Sequence, residues 1–157
     1  AAARKAIKKR RNLLYDVELV LHALDKSLLY QEPLGFLNRA AVISQAKHHK
    51  QTRAMVAVDY WQPHLNGSIV LIGEASTALL RLLELLRSGA PKPALVIATA
   101  CDFVQAAAAK QQLWDSHADL GIECVLVKGT YGGAVLAATA LNTLLQHYPA
   151  ASALSTA

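Results

Sequence analysis

Three short apolar segments, each followed by a segment of helix length, most strongly constrain how this chain of 157 residues can fold. The apolar segments are SIVLI (68–72), ALVIA (94–98) and CVLV (124–127), and the segments that follow them span 74–87, 102–114 and 132–147. Continuous apolar runs are typical of strands buried on both faces of a parallel sheet, and repeated strand–helix units need right-handed crossovers. The pattern predicts a three-layer α/β fold, in which a mainly parallel sheet carries helices on both faces.

The first half of the chain shows the same alternation more weakly. It predicts a helix over 2–11, a short strand over 13–15 with a helix that Asp16 could cap, a strand in PLGFLN, and helices in RAAVISQAKHHK and in RAMVAVDYW, the last opened by Thr52 and stopped at Pro63. Because 54% of the residues are hydrophobic and no linker composition interrupts them, we expect one domain over residues 1–157.

Positive charge is concentrated at the start of the chain. Six lysines and arginines occupy residues 1–11 without an acid, so taking these six from the net charge of +5 leaves −1 for the remainder. Such a run is typical of a solvated helix face, or of a surface that contacts phosphate, nucleic acid or anionic lipid. Without interleaved aromatic residues we do not expect a nucleic-acid partner. A salt-dependent affinity would identify an electrostatic contact.

Cysteine usage and hydropathy exclude other classes. Cys101 and Cys124 lie in apolar surroundings without disulfide or zinc spacing, so we expect buried reduced thiols and no metal site. No apolar run has the length of a membrane span, which predicts a soluble protein. The chain begins AAARKA without methionine, as a processed chain or a fragment would. We therefore expect the cytoplasm, or an organelle interior if a targeting segment has been removed.

In sheets of this kind ligands bind beyond the carboxyl ends of the strands, so the strand-to-helix turns are the candidate site. The turns read IGEAST (72–77), IATACDF (97–103) and VKGTYGGA (127–134). Glycines at 129, 132 and 133 allow close backbone approach, and amides at a helix start attract a carboxylate or phosphate. A tight turn with close helix packing explains the same glycines equally well.

Taken in order, these turns and the helices after them resemble the precorrin-8X methylmutase family, also called cobalt-precorrin-8 methylmutase. The resemblance covers residues 5–147 and includes YDVELVLHAL and TRAMVAVD. The matching positions in and after the turns are Gly73, Thr77, Ala78, Leu79, Arg81, Pro93, Ala94, Phe103, Val104, Lys110, Gly129, Gly132, Gly133 and Asn142. The resemblance implies that the turns bind a tetrapyrrole ligand. The family-like residues of these turns are Gly73, Thr77, Gly129, Gly132 and Gly133.

The chain departs from the family pattern inside the turns. Altered positions are Glu74 for asparagine, Ser76 for proline, Asp102 for glycine, Tyr131 for a small or basic residue and Ala134 for serine. The substrate that the resemblance implies is a polycarboxylate macrocycle. We therefore expect Glu74 and Asp102 to repel it, since like charges disfavour binding.

The resemblance implies an isomerase that moves a methyl group on the corrin ring in cobalamin biosynthesis, without a metal or organic cofactor. The family's proton-handling histidine precedes the Asp-Val helix, and none of the six histidines here, at 22, 48, 49, 64, 117 and 147, has that context. Our main hypothesis is a degenerate member without catalytic residues or isomerase activity, acting as a structural or interaction subunit in a protein complex or homodimer. The alternatives are an active precorrin-8X methylmutase and a module that binds a tetrapyrrole or another anion.

Overall fold

The computed structural model describes residues 1–150 of the chain, and five strands among them form one sheet. The strands are β1 (Leu13–Tyr15), β2 (Leu34–Gly35), β3 (Ile69–Ile72), β4 (Leu95–Ala98) and β5 (Glu123–Leu126). They pair in the order β2-β1-β3-β4-β5, and every pairing is parallel. The strands predicted at 68–72, 94–98 and 124–127 are confirmed as parallel neighbours, with ends within one residue of the prediction.

Within residues 1–150, seven α-helices pack around this sheet. They are α1 (Ala2–Lys8), α2 (Glu18–Ala23), α3 (Ala40–His49), α4 (Arg53–Asp59), α5 (Ser76–Arg87), α6 (Ala106–Leu120) and α7 (Ala134–His147), with short 3-10 helices at Lys26–Leu28 and Gln62–His64. The predicted α/β class with helices on both faces is confirmed. The last seven residues of the predicted domain, 151–157, lie outside the described residues.

Strand side chains alternate between two hydrophobic cores. On one face Leu13, Ile69, Leu71 and Ile97 pack with α1, α2 and α7. On the other face the intervening strand residues pack with α3, α4, α5 and α6. Because both faces of β3 and β4 are covered, their sequences are apolar at every position, which is the signal that predicted them.

Several helix ends differ from the predictions, each for a local reason. The helix predicted over 2–11 ends at Lys8, because Arg10 adopts a left-handed conformation at φ 48°. The helix predicted to run from Thr52 to Pro63 ends at Asp59, and Pro63 lies within the following 3-10 helix. The helix predicted over 102–114 begins at Ala106 and continues to Leu120, where Gly121 terminates it at φ 67°.

The order of the strands places a topological switch between β1 and β3. The chain passes from β1 outward to β2 and then returns across β1 to β3, β4 and β5 in turn. Open α/β sheets bind ligands in the crevice at the carboxyl ends of the strands beside such a switch. This edge of the sheet is the end at which the three predicted turns lie.

Candidate functional site

The three turns at the carboxyl edge are joined by direct hydrogen bonds. Between β4 and β5, the Gly133 N–H donates to the Thr99 carbonyl at 2.6 Å, and the Thr99 hydroxyl donates to the Gly133 carbonyl at 2.8 Å. Between β3 and β5, the Ala134 N–H donates to Glu74 Oε1 at 3.0 Å. The structure therefore brings the predicted residues Glu74, Gly133 and Ala134 into one connected cluster.

The Asp16 side chain, at the end of β1 beside the topological switch, binds the turn that follows β3. Its carboxylate, only 2% exposed, accepts N–H donors from Gly73 at 3.0 Å, Glu74 at 2.9 Å and Ala75 at 2.8 Å. A fourth bond comes from the Val17 N–H at 2.9 Å. Burial raises the pKa of Asp16, and the four amide bonds oppose that shift. The prediction that Asp16 caps α2 is wrong, because Val17 is the N-cap of that helix without a side-chain cap, and three of the four donors to Asp16 belong to the turn before α5.

Glu74 occupies the start of α7 instead of facing outward. One carboxylate oxygen accepts the N–H of Ala134, the first residue of that helix, and the other lies 3.7 Å from the Cys101 thiol. A carboxylate at a helix N-terminus is stabilised by the positive end of the helix dipole. Burial and the Glu74 carboxylate raise the pKa of Cys101, so its thiol stays protonated at neutral pH.

Asp102 performs the same function for α6. One of its oxygens accepts the N–H groups of Val104 at 2.9 Å, Gln105 at 2.6 Å and Ala106 at 2.8 Å. A hydrogen bond from the buried Ser76 side chain, together with these amides, lowers the pKa of Asp102 to about 2. The loop around this carboxylate explains why α6 begins at Ala106 and not at the predicted residue 102.

Three carboxylates of the chain therefore accept hydrogen bonds from backbone amides at or just before helix starts: Asp16 at α5, Asp102 at α6 and Glu74 at α7. The nearest partners of Glu74 and Asp102 are N–H donors at helix starts, and Asp102 also lines a small cavity beside Phe103. The anion site predicted at the β5–α7 turn has lost two of its donors, since the amides of Gly133 and Ala134 bind Thr99 and Glu74.

Close approach of other atoms requires glycine at two positions of this edge, Gly132 and Gly73. A Cβ on Gly132 would overlap the carbonyl oxygen of Thr99, and the same residue's carbonyl carbon would lie 2.7 Å from it. Gly129, by contrast, has open space around it but a φ of +79°, which disfavours side chains. A Cβ on Gly73 would lie 2.6 Å from the Val20 side chain in α2 and 2.7 Å from the Ala134 backbone in α7, and Gly133 has a φ of +121°. All the predicted glycines thus have a structural reason that is independent of any ligand.

The remaining predicted residues divide between the interior and the surface. Ser76 and Ala134 are buried, whereas Tyr131 is largely exposed on the β5–α7 turn. Thr77 lies away from the cluster, with its hydroxyl 3.1 Å from that of Thr52, the residue that caps α4. The structure therefore brings most of the predicted set together but turns Thr77 toward a neighbouring helix.

Sequence reasoning did not include Lys110 in the site. Its side chain is 1% exposed, and its Nζ donates to the Tyr131 carbonyl at 2.8 Å, which ties α6 to the β5–α7 turn. Burial lowers the pKa of Lys110. Two signals were available: Lys110 is one of the positions that match the family, and it follows small apolar residues on the buried face of α6.

Large apolar side chains surround the cluster and remain uncovered. Phe103 is 98% exposed, Val104 86% and Tyr131 81%, and Val135 and Leu136 at the start of α7 are also exposed. We call these five residues the apolar rim. A small cavity of about 130 Å³ lies at its base, lined by Cys101, Asp102, Phe103 and Thr130. Exposed apolar groups concentrated at one edge are typical of a binding surface.

Two further observations concern metals and membranes. Within residues 1–150, no group of three or more histidine, cysteine or acidic side chains is arranged to hold a metal ion. Both cysteines are free and half-buried, not fully buried as predicted. Over the same described span, no helix is long and apolar enough to cross a membrane.

The sequence and the fold both match known proteins. The family model described as precorrin-8X methylmutase matches residues 1–147. The precorrin-8X methylmutase of Pseudomonas aeruginosa is 41% identical over 147 residues, covering 92% of this chain and 69% of the relative. The Sinorhizobium sp. enzyme of the same name is 37% identical over 146 residues, with the same two shares. The crystal structure of precorrin-8X methylmutase from Thermus thermophilus superposes with a TM-score of 0.83 at 32% identity, covering 94% of this chain and 70% of the other. The chain therefore belongs to the precorrin-8X methylmutase family.

Proposed function

We propose that the carboxyl edge of the sheet binds the precorrin-8X macrocycle and that the protein is a methylmutase, an isomerase that moves a methyl group on that ring. The observation that carries the proposal is the apolar rim, which lies on the connected turns. The substrate that the resemblance implies is a polycarboxylate macrocycle whose central ring system is largely apolar. Phe103 and Tyr131 offer aromatic faces on which such a ring can stack.

The electrostatics of the edge are compatible with this ligand. Glu74 and Asp102 gave one of the two sequence arguments for a lost activity, because they were expected to repel carboxylates of the macrocycle. Both are instead bound to backbone amides at helix starts, where the dipole offsets their charge. The buried ammonium of Lys110 lies beneath the same turn and adds positive potential.

The noncatalytic hypothesis retains one supporting observation. None of the six histidines lies in the three turns, so no imidazole of the turns is available to carry a proton to or from the ring. The resemblance places the proton-handling histidine before Tyr15-Asp16-Val17, and none of the six histidines of this sequence lies there either. A tetrapyrrole-binding subunit without isomerase activity is the second candidate function.

Two measurements on the purified protein distinguish these functions. Precorrin-8X is added, binding is followed by the change in its absorption spectrum, and product is identified after extraction against a family enzyme as a positive control. Turnover near the control rate supports the methylmutase, whereas tight binding without turnover supports the binding subunit. Failure to bind the macrocycle would refute both.

A pair of variants tests whether the apolar rim is the binding surface. Phe103→Ala removes a nearly fully exposed aromatic ring and should weaken macrocycle binding by roughly 5- to 100-fold, as stacking contacts of this kind typically contribute. Val125→Ala, at an exposed position in the middle of β5, is the matched control and should change binding less than twofold. Equal effects of the two substitutions would show that the ligand lies elsewhere.

A further inference from the structure

A second cavity lies at the opposite end of the sheet from the apolar rim. It has a volume of about 250 Å³, and its lining includes Lys5, Lys9 and Arg11 together with Gly67 and Ala94. Gly67 and Ala94 precede β3 and β4, so the cavity opens at the amino ends of these strands. A strand of four residues spans about 13 Å. The cavity is therefore spatially separate from the turns proposed to hold the macrocycle.

The local fold turns three cations toward this space. Lys9 follows Lys5 by one helical turn, and the Lys9 N–H donates to the Lys5 carbonyl at 3.1 Å. The left-handed conformation of Arg10 then reverses the chain and returns Arg11 toward the helix. The backbone of Arg11 is fixed because its carbonyl accepts the Tyr30 hydroxyl at 2.6 Å. Its guanidinium lies over Gly67, where a Cβ would approach Nε to 3.2 Å.

These cations have no acidic partner among the described residues. No acid is found in the lining of the cavity, and the ion pairs described within residues 1–150 both involve Arg81. Like charges one helical turn apart destabilise a helix, so Lys5 and Lys9 repel each other across the opening. An anion placed between them would convert this repulsion into attraction.

We propose that this cavity is a binding site for a small multivalent phosphate anion, of the pyrophosphate class. The guanidinium of Arg11 can bind two oxygens of one phosphate group, while Lys5 and Lys9 act as point charges on the other oxygens. Three converging positive charges match an anion that carries several negative charges better than they match a single carboxylate. A volume just below the usual range for drug-sized ligands fits a diphosphate group and excludes a complete dinucleotide.

The test uses pyrophosphate as the probe and calorimetric titration of the full chain at low chloride. Lys5→Gln combined with Lys9→Gln should weaken pyrophosphate binding at least tenfold. Lys8→Gln combined with Lys47→Gln is the matched control, because it removes the same two charges from exposed positions outside the cavity lining; binding should then weaken less than threefold. Arg11→Lys keeps the charge but loses the paired donors, and should weaken binding several-fold.

Three results would overturn the proposal. The first is an equal loss of pyrophosphate binding in the two double variants, which would mean that the overall positive charge of the protein attracts the anion. The second is the absence of saturable pyrophosphate binding by the native protein. The third is binding to anionic lipid vesicles without binding to pyrophosphate. Amide NMR locates the contact, since shifts on binding should concentrate at Arg11 and Gly67. The titration does not depend on the methylmutase proposal, because macrocycle binding should be unchanged in the Lys5/Lys9 variant.

Discussion

Replacing Asp16 by alanine should be among the most destabilising single changes at the carboxyl edge. The substitution leaves four N–H donors without an acceptor: those of Val17, Gly73, Glu74 and Ala75. Gly73 is buried, so water cannot readily replace the lost bond there, whereas the other three residues are half-buried and can be partly rehydrated. One fully buried donor without a partner costs about 1–3 kcal/mol, and the others add a smaller amount each.

The net loss is smaller than the sum of these costs, because the native protein also has to desolvate the Asp16 carboxylate. We expect the free energy of unfolding to fall by about 2–4 kcal/mol. The total for a domain is about 5–15 kcal/mol, so the variant should still fold. For a chain of this size the loss corresponds to a fall in Tm of roughly 5–15 °C. Asp16→Asn retains one acceptor oxygen, so its free energy of unfolding should lie between those of Asp16→Ala and the native protein.

Urea unfolding followed by circular dichroism measures this change, with Tm as a second readout. Asp119→Ala is the matched control, because it removes the same charge from an exposed position on α6. The control should change the free energy of unfolding by less than about 0.5 kcal/mol. A loss below about 1 kcal/mol for Asp16→Ala would refute the argument, since it would mean that the four amides find other partners at little cost.

Three further substitutions test the other contacts of this edge. Gly132→Ala should destabilise by about 3 kcal/mol, because its Cβ would overlap the Thr99 carbonyl, while Gly129→Ala, limited by its φ of +79°, should cost about 1 kcal/mol; urea unfolding compares them. Asp102→Asn removes a carboxyl whose pKa is about 2 against an ordinary value of 3.8. The free energy of unfolding that the variant loses relative to the native protein should therefore be largest above about pH 4 and should shrink as the pH falls toward 2. Urea unfolding at several pH values checks this, and a pH-independent difference would contradict it. Glu74→Gln should lower the pKa of Cys101 toward its ordinary value, because a neighbouring negative charge is removed; the pH dependence of thiol alkylation measures the shift, and an unchanged profile would show that burial alone raises it.

The sheet was predictable from the sequence because its signals are local. β3 and β4 are apolar at every position since both faces are buried, and the helix after each strand has enough residues to return the chain. The weaker strand β2 was also predicted, within PLGFLN, although it is only two residues long. Helix ends were less accurate, as at α6, where the Asp102 carboxylate holds three amides of the preceding loop and delays the first helical turn.

The directions of the acidic side chains in the turns were not predictable in the same way. Glu74 reaches the N–H of Ala134, which is 60 residues later in the chain, and Asp16 reaches Gly73 across 57 residues. Such contacts depend on the order of the strands, which places β1 beside β3 and the start of α7 beside the β3 turn. The sequence showed that acids occupy the turns but not that backbone amides already bind them.

The two ends of the sheet consequently differ in the force that would hold a ligand. At the carboxyl edge, acids of the chain bind helix-start amides and leave the apolar rim as the main exposed chemistry, so contact with the ring system there should depend mainly on buried apolar area. At the amino ends, Lys5, Lys9 and Arg11 face a cavity without an acid in its lining. Salt at 0.1 M weakens the interaction between exposed charges over a screening length of about 10 Å, whereas it has little effect on apolar contacts. Raising the salt concentration should therefore weaken pyrophosphate binding strongly, whereas the part of macrocycle binding that comes from apolar contact should persist. Pyrophosphate binding that does not respond to salt would contradict an electrostatic site at Lys5, Lys9 and Arg11.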